Sequence, residues 1–302
     1  MLYLSPLAFL IGYASYRFVE QPFRQKGNIS ARNTMLMLSS VSTILVIIGV
    51  TGHFGLLDNG RYVEKFDDWE DKSNCIINQG EVFEEKIDYF QSECLKSGRD
   101  FILIGDSHAE ALSKNLRIVI EDSGGSLISL VTNACFPITG TTRLNYNREC
   151  IEKKEKYWDF ATTTNATIIL SARWRLNING TRFNNQEGGI EYGKNNGLNV
   201  VLDSDDELIP HIASSLLRLS QKNRVIIVNQ IPEAGWDVPV RIAKTSQKFK
   251  SPAPSYLSTS YNVYKVSNEK INALFEDLEN GGNLTVLRVD KLVCDTKLAG
   301  SA

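Results

Sequence analysis

The sequence predicts a three-layer α/β fold, a parallel sheet with helices on both faces, preceded by one or two transmembrane helices. After residue 98, short runs of aliphatic and β-branched residues alternate with amphipathic helical patterns, which is typical of parallel sheets buried on both faces. The predicted strands are 101–104, 127–131, 167–170, 224–228 and 284–289. The predicted helices are 109–122, 151–164, 207–221 and 261–278.

The longest apolar runs of the chain lie before residue 58. Residues 34–57 contain no Lys, Arg, Asp or Glu, and a helix of this length spans the bilayer core of about 30 Å. Residues 1–15 are also uncharged but short for a full span. Basic residues outnumber acidic ones between the two runs, so we expect that loop in the cytoplasm and the later chain on the other side of the membrane. A buried core helix is the alternative for residues 34–57.

The chain therefore divides into residues 1–57, a polar linker at 58–98 that folds back onto the next part, and a soluble domain at 99–302. The whole chain has a net charge of −2 and no basic run with interleaved aromatic residues, which argues against nucleic acid as a partner. Neither a metal-ligand cluster nor a Gly-rich phosphate loop is present, so no metal or cofactor is expected from recognisable residues. Residues 177–202 and 235–260 are predicted to be irregular surface segments.

All five cysteines follow the apolar N-terminal part, and their spacing matches no zinc pattern. In an oxidising compartment we predict two local disulfides, Cys75–Cys94 and Cys135–Cys150. Cys294 then has no predicted partner among these cysteines. It either pairs with a cysteine beyond Ala302 or is a free buried thiol.

The stretch RDFILIGDSHAEAL, residues 99–112, joins a predicted strand to a predicted helix. Gly105 ends the apolar run, and Asp106 or Ser107 can cap a helix that begins near His108. The Ser107 hydroxyl would then lie at the carboxyl edge of the sheet, beside backbone N–H groups that favour negative charge. This suits a serine that attacks an acyl carbon, although helix capping alone is the alternative role.

Other polar residues follow the remaining predicted strands at the same edge. They are Asn133, the segment 171–174, Asn229 and Gln230. Ligands of parallel sheets bind just past the carboxyl ends of the strands, so these positions outline one candidate site.

GDSHA at residues 105–109 resembles the first block of the SGNH hydrolase family. More narrowly, the chain is similar to SGNH domains fused to membrane acyltransferase-3 proteins, the O-acetyltransferases of bacterial surface polysaccharides. The similar stretches are YRFVEQPFR at 16–24, IILSARW at 168–174, NQIPEAGWDVP at 229–239 and NACFP around Cys135.

The resemblance implies that Ser107 is the nucleophile and that its N–H contributes to an oxyanion hole. Asn133 and Gly140 are the candidate donors after the second strand. The third-strand region offers no Asn before Asn177, so Arg173 is a candidate by charge, with a salt bridge at the sheet edge as its alternative. Supporting roles are expected for Asp106 and His108.

The family places an Asp-x-x-His near its C-terminus, and no such pair occurs here. The only histidines are His53, His108 and His211, of which His211 is expected to be exposed to solvent. Asp290 and Cys294 resemble the opening of the final block. We therefore expect a fragment that lacks the base and most membrane helices, and that is slow or inactive by itself.

The resemblance implies transfer of an acyl group, expected to be acetyl, onto hydroxyls of a bacterial cell-surface glycan such as lipopolysaccharide O-antigen, through a serine acyl-enzyme. The missing membrane acyltransferase domain would supply the acyl group, from acetyl-CoA in the family. The expected location is the inner membrane with the soluble domain in the periplasm. A membrane-anchored carbohydrate esterase and a non-catalytic glycan-binding module are the alternatives.

Overall fold

A computed structural model describes residues 12–13, 16–17, 21, 31–53, 70–77, 81–95, 98–143, 148–186, 200–202, 207–235, 238 and 259–294. The chain forms two compact units, Met1–Glu64 and Lys65–Ala302. Within the first unit, helix α1 (Ala31–His53) covers most of the predicted transmembrane run, whose last residues, 54–57, lie outside the described part. Among the helices described, none is long and apolar enough to cross a membrane, so the predicted transmembrane helices are not confirmed.

The second unit is built on a parallel sheet, as the alternating pattern predicts. Its order is β2-β1-β4-β6-β7, and every neighbouring pair is parallel. A separate antiparallel pair joins β3 to β5. The strands are β1 (Asp100–Gly105), β2 (Ser126–Val131), β3 (Thr141–Arg143), β4 (Thr167–Ser171), β5 (Val200–Leu202), β6 (Val225–Val228) and β7 (Thr285–Leu287).

Helices occupy the four regions where the apolar periodicity predicts them, and the structure differs from the predicted boundaries at Asn268 and Val289. The predicted helix 261–278 is broken at Asn268, whose side-chain amide donates to the Tyr264 carbonyl at 2.8 Å. The last strand stops at Leu287, and Val289 already belongs to a helix. The helices are α2 (Ser107–Asp122), α3 (Arg148–Thr163), α4 (Trp174–Asn179), α5 (Leu208–Ser220), α6 (Tyr261–Ser267), α7 (Glu269–Asn280) and α8 (Val289–Val293).

The two faces of the sheet carry different cores. Helices α3, α5 and α7 cover one face, where alternate strand residues such as Ile102, Leu170 and Ile227 pack beneath them. Helix α2 covers the other face, packing on residues such as Leu103 and Leu127. The second unit is therefore a three-layer α/β structure, as the sequence predicts, and this architecture leaves the carboxyl edge of the strands for a site.

Residues 70–95, which the sequence assigns to a linker, are tied to this unit. Ile76 forms a parallel bridge with Ser129 of β2, and the Ile77 N–H donates to the Ser129 carbonyl at 3.1 Å. A helical stretch over residues 84–94 supplies Phe90 to the core. The Cys75–Cys94 disulfide joins the bridge to that stretch, with an S–S distance of 2.06 Å.

The second predicted disulfide is also present, between Cys135 and Cys150. Both predictions from cysteine spacing are thus confirmed. Cys294 is a half-buried free thiol.

A buried ion pair connects the segment before Cys75 to helix α2. The Arg117 Nε lies 3.0 Å from each carboxylate oxygen of Asp71, and the two side chains are 9% and 3% exposed. Ser113 donates to the same carboxylate. Because both charges are removed from water and hydrogen-bonded, this pair fixes the segment against the helix.

The turn between β1 and α2 requires a glycine. A Cβ on Gly105 would lie 1.8 Å from the Ser171 carbonyl oxygen and 2.5 Å from the Ala109 Cβ. The end of β1 therefore approaches β4 and the first turn of α2 more closely than any other residue type allows.

The two segments predicted to be irregular are described only in part. The first contains the end of α4 and strand β5, neither of which the sequence pattern predicts. Most of the second, residues 236–258 apart from Val238, lies outside the described residues.

Candidate active site

Ser107 is exposed and is the first residue of helix α2, directly after the β1 turn. The Ala109 and Glu110 N–H groups donate to the Asp106 carbonyl, at 2.9 and 3.1 Å, and the His108 N–H donates to the Asp106 side chain at 2.9 Å. The Ser107 N–H is thus the one amide of the first turn that no Asp106 oxygen binds. It lies at the positive end of the helix dipole, where negative charge is stabilised.

Asp106 is the N-cap of α2, and it also binds a second strand end. Its Oδ1 accepts the His108 N–H, while its Oδ2 accepts the Arg173 N–H at 2.9 Å. Asp106 as a residue is 2% exposed. It therefore holds the nucleophile turn against the segment that follows β4.

Arg173 is not a bare charge at the edge of the sheet, because its guanidinium is paired with Glu233. The Arg173 Nε donates to Glu233 Oε1 at 2.8 Å, and a second guanidinium nitrogen donates to the same oxygen. The structure shows the salt bridge that was the alternative reading of Arg173. An oxyanion role for this side chain stays a prediction.

Asn177, the first asparagine after β4, is fully buried in helix α4. Its side-chain N–H donates to the Arg173 carbonyl at 2.8 Å, and its Oδ1 accepts the Arg143 Nε at 3.0 Å. Asn133 is exposed in the turn after β2, near the point where the Thr132 N–H donates to the Gly105 carbonyl at 3.0 Å. Of these two residues, Asn133 is the one whose position leaves it accessible to a ligand.

Gly140 has φ +67°, and its N–H donates to Glu155 Oε1 at 3.0 Å. It could join an oxyanion hole only by giving up that acceptor. The expected exposure of His211 is wrong, because its ring packs against Gly140 and its Nε2 lies 2.8 Å from the Thr139 carbonyl oxygen. The ring fits there because residue 140 has no side chain, a contact that helix position alone does not predict.

Asn229 and Gln230, at the end of β6, are buried and bind neighbouring elements. The Asn229 Oδ1 accepts the Val289 N–H at 2.8 Å, and its Nδ2 donates to Asp290 Oδ1 at 2.7 Å. The Gln230 Oε1 accepts the Arg175 N–H at 2.9 Å. Asn229 therefore connects the end of β6 to helix α8, and Gln230 connects it to helix α4.

Asp290 is buried with both carboxylate oxygens occupied, since Oδ2 accepts the Tyr261 hydroxyl at 2.9 Å. Burial and then the Asp290 carboxylate raise the pKa of Tyr261 to about 12, so the phenol remains a donor at neutral pH. Burial and Asp290 also raise the pKa of the Cys294 thiol. The bonds to Val289 and Asp290 fix the start of α8.

The sequence pattern gave no role to Glu233, although it lies in the NQIPE stretch. Its position on the loop after β6, at the same edge as Ser107, was the signal that could have identified it. The structure thus brings Asp106, Arg173 and Glu233 into one bonded group beside the exposed Ser107. Within the described segments, no group of three or more His, Cys, Asp or Glu residues could hold a metal ion.

The model of the SGNH domain family, described as fused to AT3 domains, matches residues 70–300. The chain belongs to this family, which confirms the resemblance carried by GDSHA and the later stretches. This membership supports chemistry of the acyltransferase or esterase type in general.

Among solved structures, the chain is similar to the periplasmic domain of a lipopolysaccharide acetyltransferase from Salmonella ser. Paratyphi A. The two are 18% identical, the match covers 74% of this chain and 76% of that one, and the TM-score is 0.49. No curated protein sequence matches the chain significantly.

Proposed function

We propose that this domain transfers an acyl group, acetyl in the first instance, onto hydroxyls of a bacterial cell-surface glycan through an acyl-enzyme on Ser107. The observation that carries the proposal is the exposed Ser107 at the first turn of α2, with its own N–H free of the Asp106 cap. Attack by the Ser107 oxygen on the acyl carbon forms the ester and releases the donor group with the serine proton. A glycan hydroxyl then attacks that ester and restores the serine.

The donor side of the reaction rests on the family. SGNH domains of this family are fused to AT3 domains, and we propose that such a membrane domain delivers the acyl group, derived from acetyl-CoA. The chain's own residues would then receive the acyl group and pass it on. None of the described residues is assigned to hold acetyl-CoA itself.

We infer that neither histidine of the SGNH domain takes the proton of Ser107. His211 is engaged with the Thr139 carbonyl, and the His108 backbone follows Ser107 directly into the helix. A serine without a base is a poor nucleophile at neutral pH, so the chain alone is expected to turn over slowly.

We further propose that the N-terminal unit is attached to the bacterial inner membrane and that the SGNH domain lies in the periplasm. Large apolar side chains of α1 are exposed along its length, among them Met35, Ile44, Leu45 and Ile48. Contact with lipid would remove this surface from water. The two disulfides are consistent with an oxidising compartment such as the periplasm.

The test compares the wild-type gene with Ser107→Ala in a bacterium that makes the protein. The O-acetyl content of its surface glycan is read by proton NMR, and acylated Ser107 is sought by mass spectrometry. We expect Ser107→Ala to abolish both signals. Ser214→Ala is the matched control, because that exposed hydroxyl only bonds to the His211 carbonyl of its own helix.

Two results would replace the proposal. If Ser107→Ala raised the acetyl content, the domain would be an esterase that removes acyl groups. If it left the acetyl content unchanged while the protein still bound glycan, the domain would be a binding module.

A further inference from the structure

In the described start of the loop after β6, residues 229–235, the acidic side chain is Glu233, which the proposed reaction does not use. It lies among cations: Glu233 Oε1 accepts the Arg173 Nε at 2.8 Å, and Glu233 Oε2 lies 3.9 Å from an Arg175 guanidinium nitrogen. The side chains of Arg173, Glu233 and Arg175 are only 19%, 10% and 7% exposed. This is therefore not a solvent-screened surface pair, and the carboxylate is the partner that the two guanidinium groups share.

The same arginine reaches the nucleophile turn through its backbone. The Arg173 N–H donates to Asp106 Oδ2, and Asp106 Oδ1 accepts the His108 N–H, both at 2.9 Å. Two residues therefore connect Glu233 to the first turn of α2, which begins at Ser107.

Gln230, in the same loop as Glu233, also binds the segment 173–175. The Gln230 Oε1 accepts the Arg175 N–H at 2.9 Å, so residues 173–175 are bound by both their main chain and their side chains. Without the Glu233 charge, the mostly buried Arg173 guanidinium would need another acceptor. Asp106 is the carboxylate next along this series of bonds, and it already accepts two N–H groups.

We propose that Glu233 is a positioning residue for Ser107, acting through Arg173 and Asp106. This inference rests on the proposed function only in taking Ser107 as the nucleophile. Glu233 holds the Arg173 side chain so that the Asp106 carboxylate stays committed to the Arg173 and His108 backbone amides. The first turn of α2, whose Ser107 N–H is bound by no Asp106 oxygen, is thereby kept in place.

The test measures hydrogen exchange of the His108 and Arg173 backbone amides by NMR in the intact chain. In Glu233→Gln we expect both amides to exchange at least about tenfold faster, since each loses about one hydrogen bond's worth of protection. Glu233→Asp, which keeps a carboxylate between the two guanidinium groups, should retain more of the protection than Glu233→Gln. Glu279→Gln is the matched control, since it removes the partner of Arg288 in a partly exposed ion pair away from Ser107.

Unchanged exchange at His108 and Arg173 in Glu233→Gln would overturn the proposal, and so would an acceleration equally large at the Ser129 amide of β2. Exchange as fast in Glu233→Asp as in Glu233→Gln would do the same. A local acceleration that is larger in Glu233→Gln than in Glu233→Asp, and that the control does not reproduce, supports it.

A second measurement connects the effect to the nucleophile. The rate at which a fluorophosphonate labels Ser107, followed by intact mass, should fall more in Glu233→Gln than in Glu233→Asp. Equal labelling rates in wild type and Glu233→Gln would contradict the role of Glu233, whereas acylation of Ser107 in cells still decides the proposed function.

Discussion

The Cα of Gly105 and the carbonyl of Ser171 lie so close that a Cβ on Gly105 would be 1.8 Å from the Ser171 oxygen. This contact joins the ends of β1 and β4 next to Ser107. It is a backbone contact, so no rotation of a side chain can relieve it.

We therefore expect Gly105→Ala to lower the free energy of unfolding by about 3 kcal/mol or more, at the upper end of what overpacking costs. Urea unfolding followed by circular dichroism would measure it. Gly124→Ala is the control, since Gly124 has φ +79° but open space around its Cα, and strain alone should cost about 1 kcal/mol. Equal losses in the two variants would show that the close approach does not matter.

Asp71 should make the stability of the domain depend on acid pH. Burial by itself would raise its pKa, but hydrogen bonds from Arg117, Ser113 and the Ser73 backbone outweigh burial and hold the pKa below 3.8. A carboxylate with a depressed pKa in the folded state stabilises that state at higher pH, and this stability is lost as the pH falls through the folded-state pKa.

Asp71→Asn should therefore cost about 3 kcal/mol near neutral pH, because Arg117 is left buried without its carboxylate. The difference from wild type should shrink as the pH falls below 3.8. Urea unfolding from neutral to acid pH would show this. Asp122→Asn, at an exposed position of the same helix, should give a small difference; a pH-independent loss in Asp71→Asn would speak against the ion pair.

Asn223 supports the region where α3 ends and β4 begins. Its Nδ2 donates to the carbonyls of Ala161, Thr164 and Ala166 at 3.2, 3.0 and 3.1 Å, and the residue is buried. Asn223→Ala should cost about 2 kcal/mol, since these acceptors lose their donor. Asn223→Asp should cost more, because a carboxylate would face carbonyl oxygens.

Chemical denaturation at two pH values distinguishes these effects. At acid pH the introduced carboxyl is protonated and can donate to one carbonyl, so the gap between Asn223→Asp and Asn223→Ala should narrow. Gln221→Ala, at the neighbouring exposed position, serves as the control and should change little. A gap that widened in acid would contradict the assignment.

Cys294 should react slowly with alkylating reagents. Burial and then the neighbouring Asp290 raise the pKa of its thiol above 9.0, and the thiolate is the reactive form. The rate of iodoacetamide labelling should therefore rise with a midpoint above pH 9.0. Cys294→Ala should abolish labelling of the non-reduced protein, since the other four cysteines are paired; a midpoint below the ordinary thiol pKa would be the contrary result.

The sequence predicts the strands and most helices because their signal is local. Apolar runs and amphipathic periods depend on neighbouring residues, and the parallel sheet follows from their alternation. The two wrong boundaries, at Asn268 and at Val289, come from asparagine side chains that capture backbone groups. Periodicity contains no information on such bonds.

The parts of the candidate site that are local in the sequence are predictable, and its long-range contacts are not. The placement of Ser107 and the cap at Asp106 follow from a strand, a glycine and a helix adjacent in the chain. The bond from Asp106 to Arg173 spans 67 residues, and the pairing of Arg173 with Glu233 spans 60. These contacts exist only once the strands are ordered in the sheet, so the sequence left open whether Arg173 is paired.

The bridge between Ile76 and Ser129 covers the outer edge of the sheet. Strand β2 is the outermost strand of the sheet, and the Ser129 N–H and carbonyl bind the backbone of residues 75 and 77. Exposed outer strands invite pairing with the same strand of another molecule. We expect reduction of the Cys75–Cys94 disulfide to loosen that short cover and to expose the edge of β2 to pairing with another molecule.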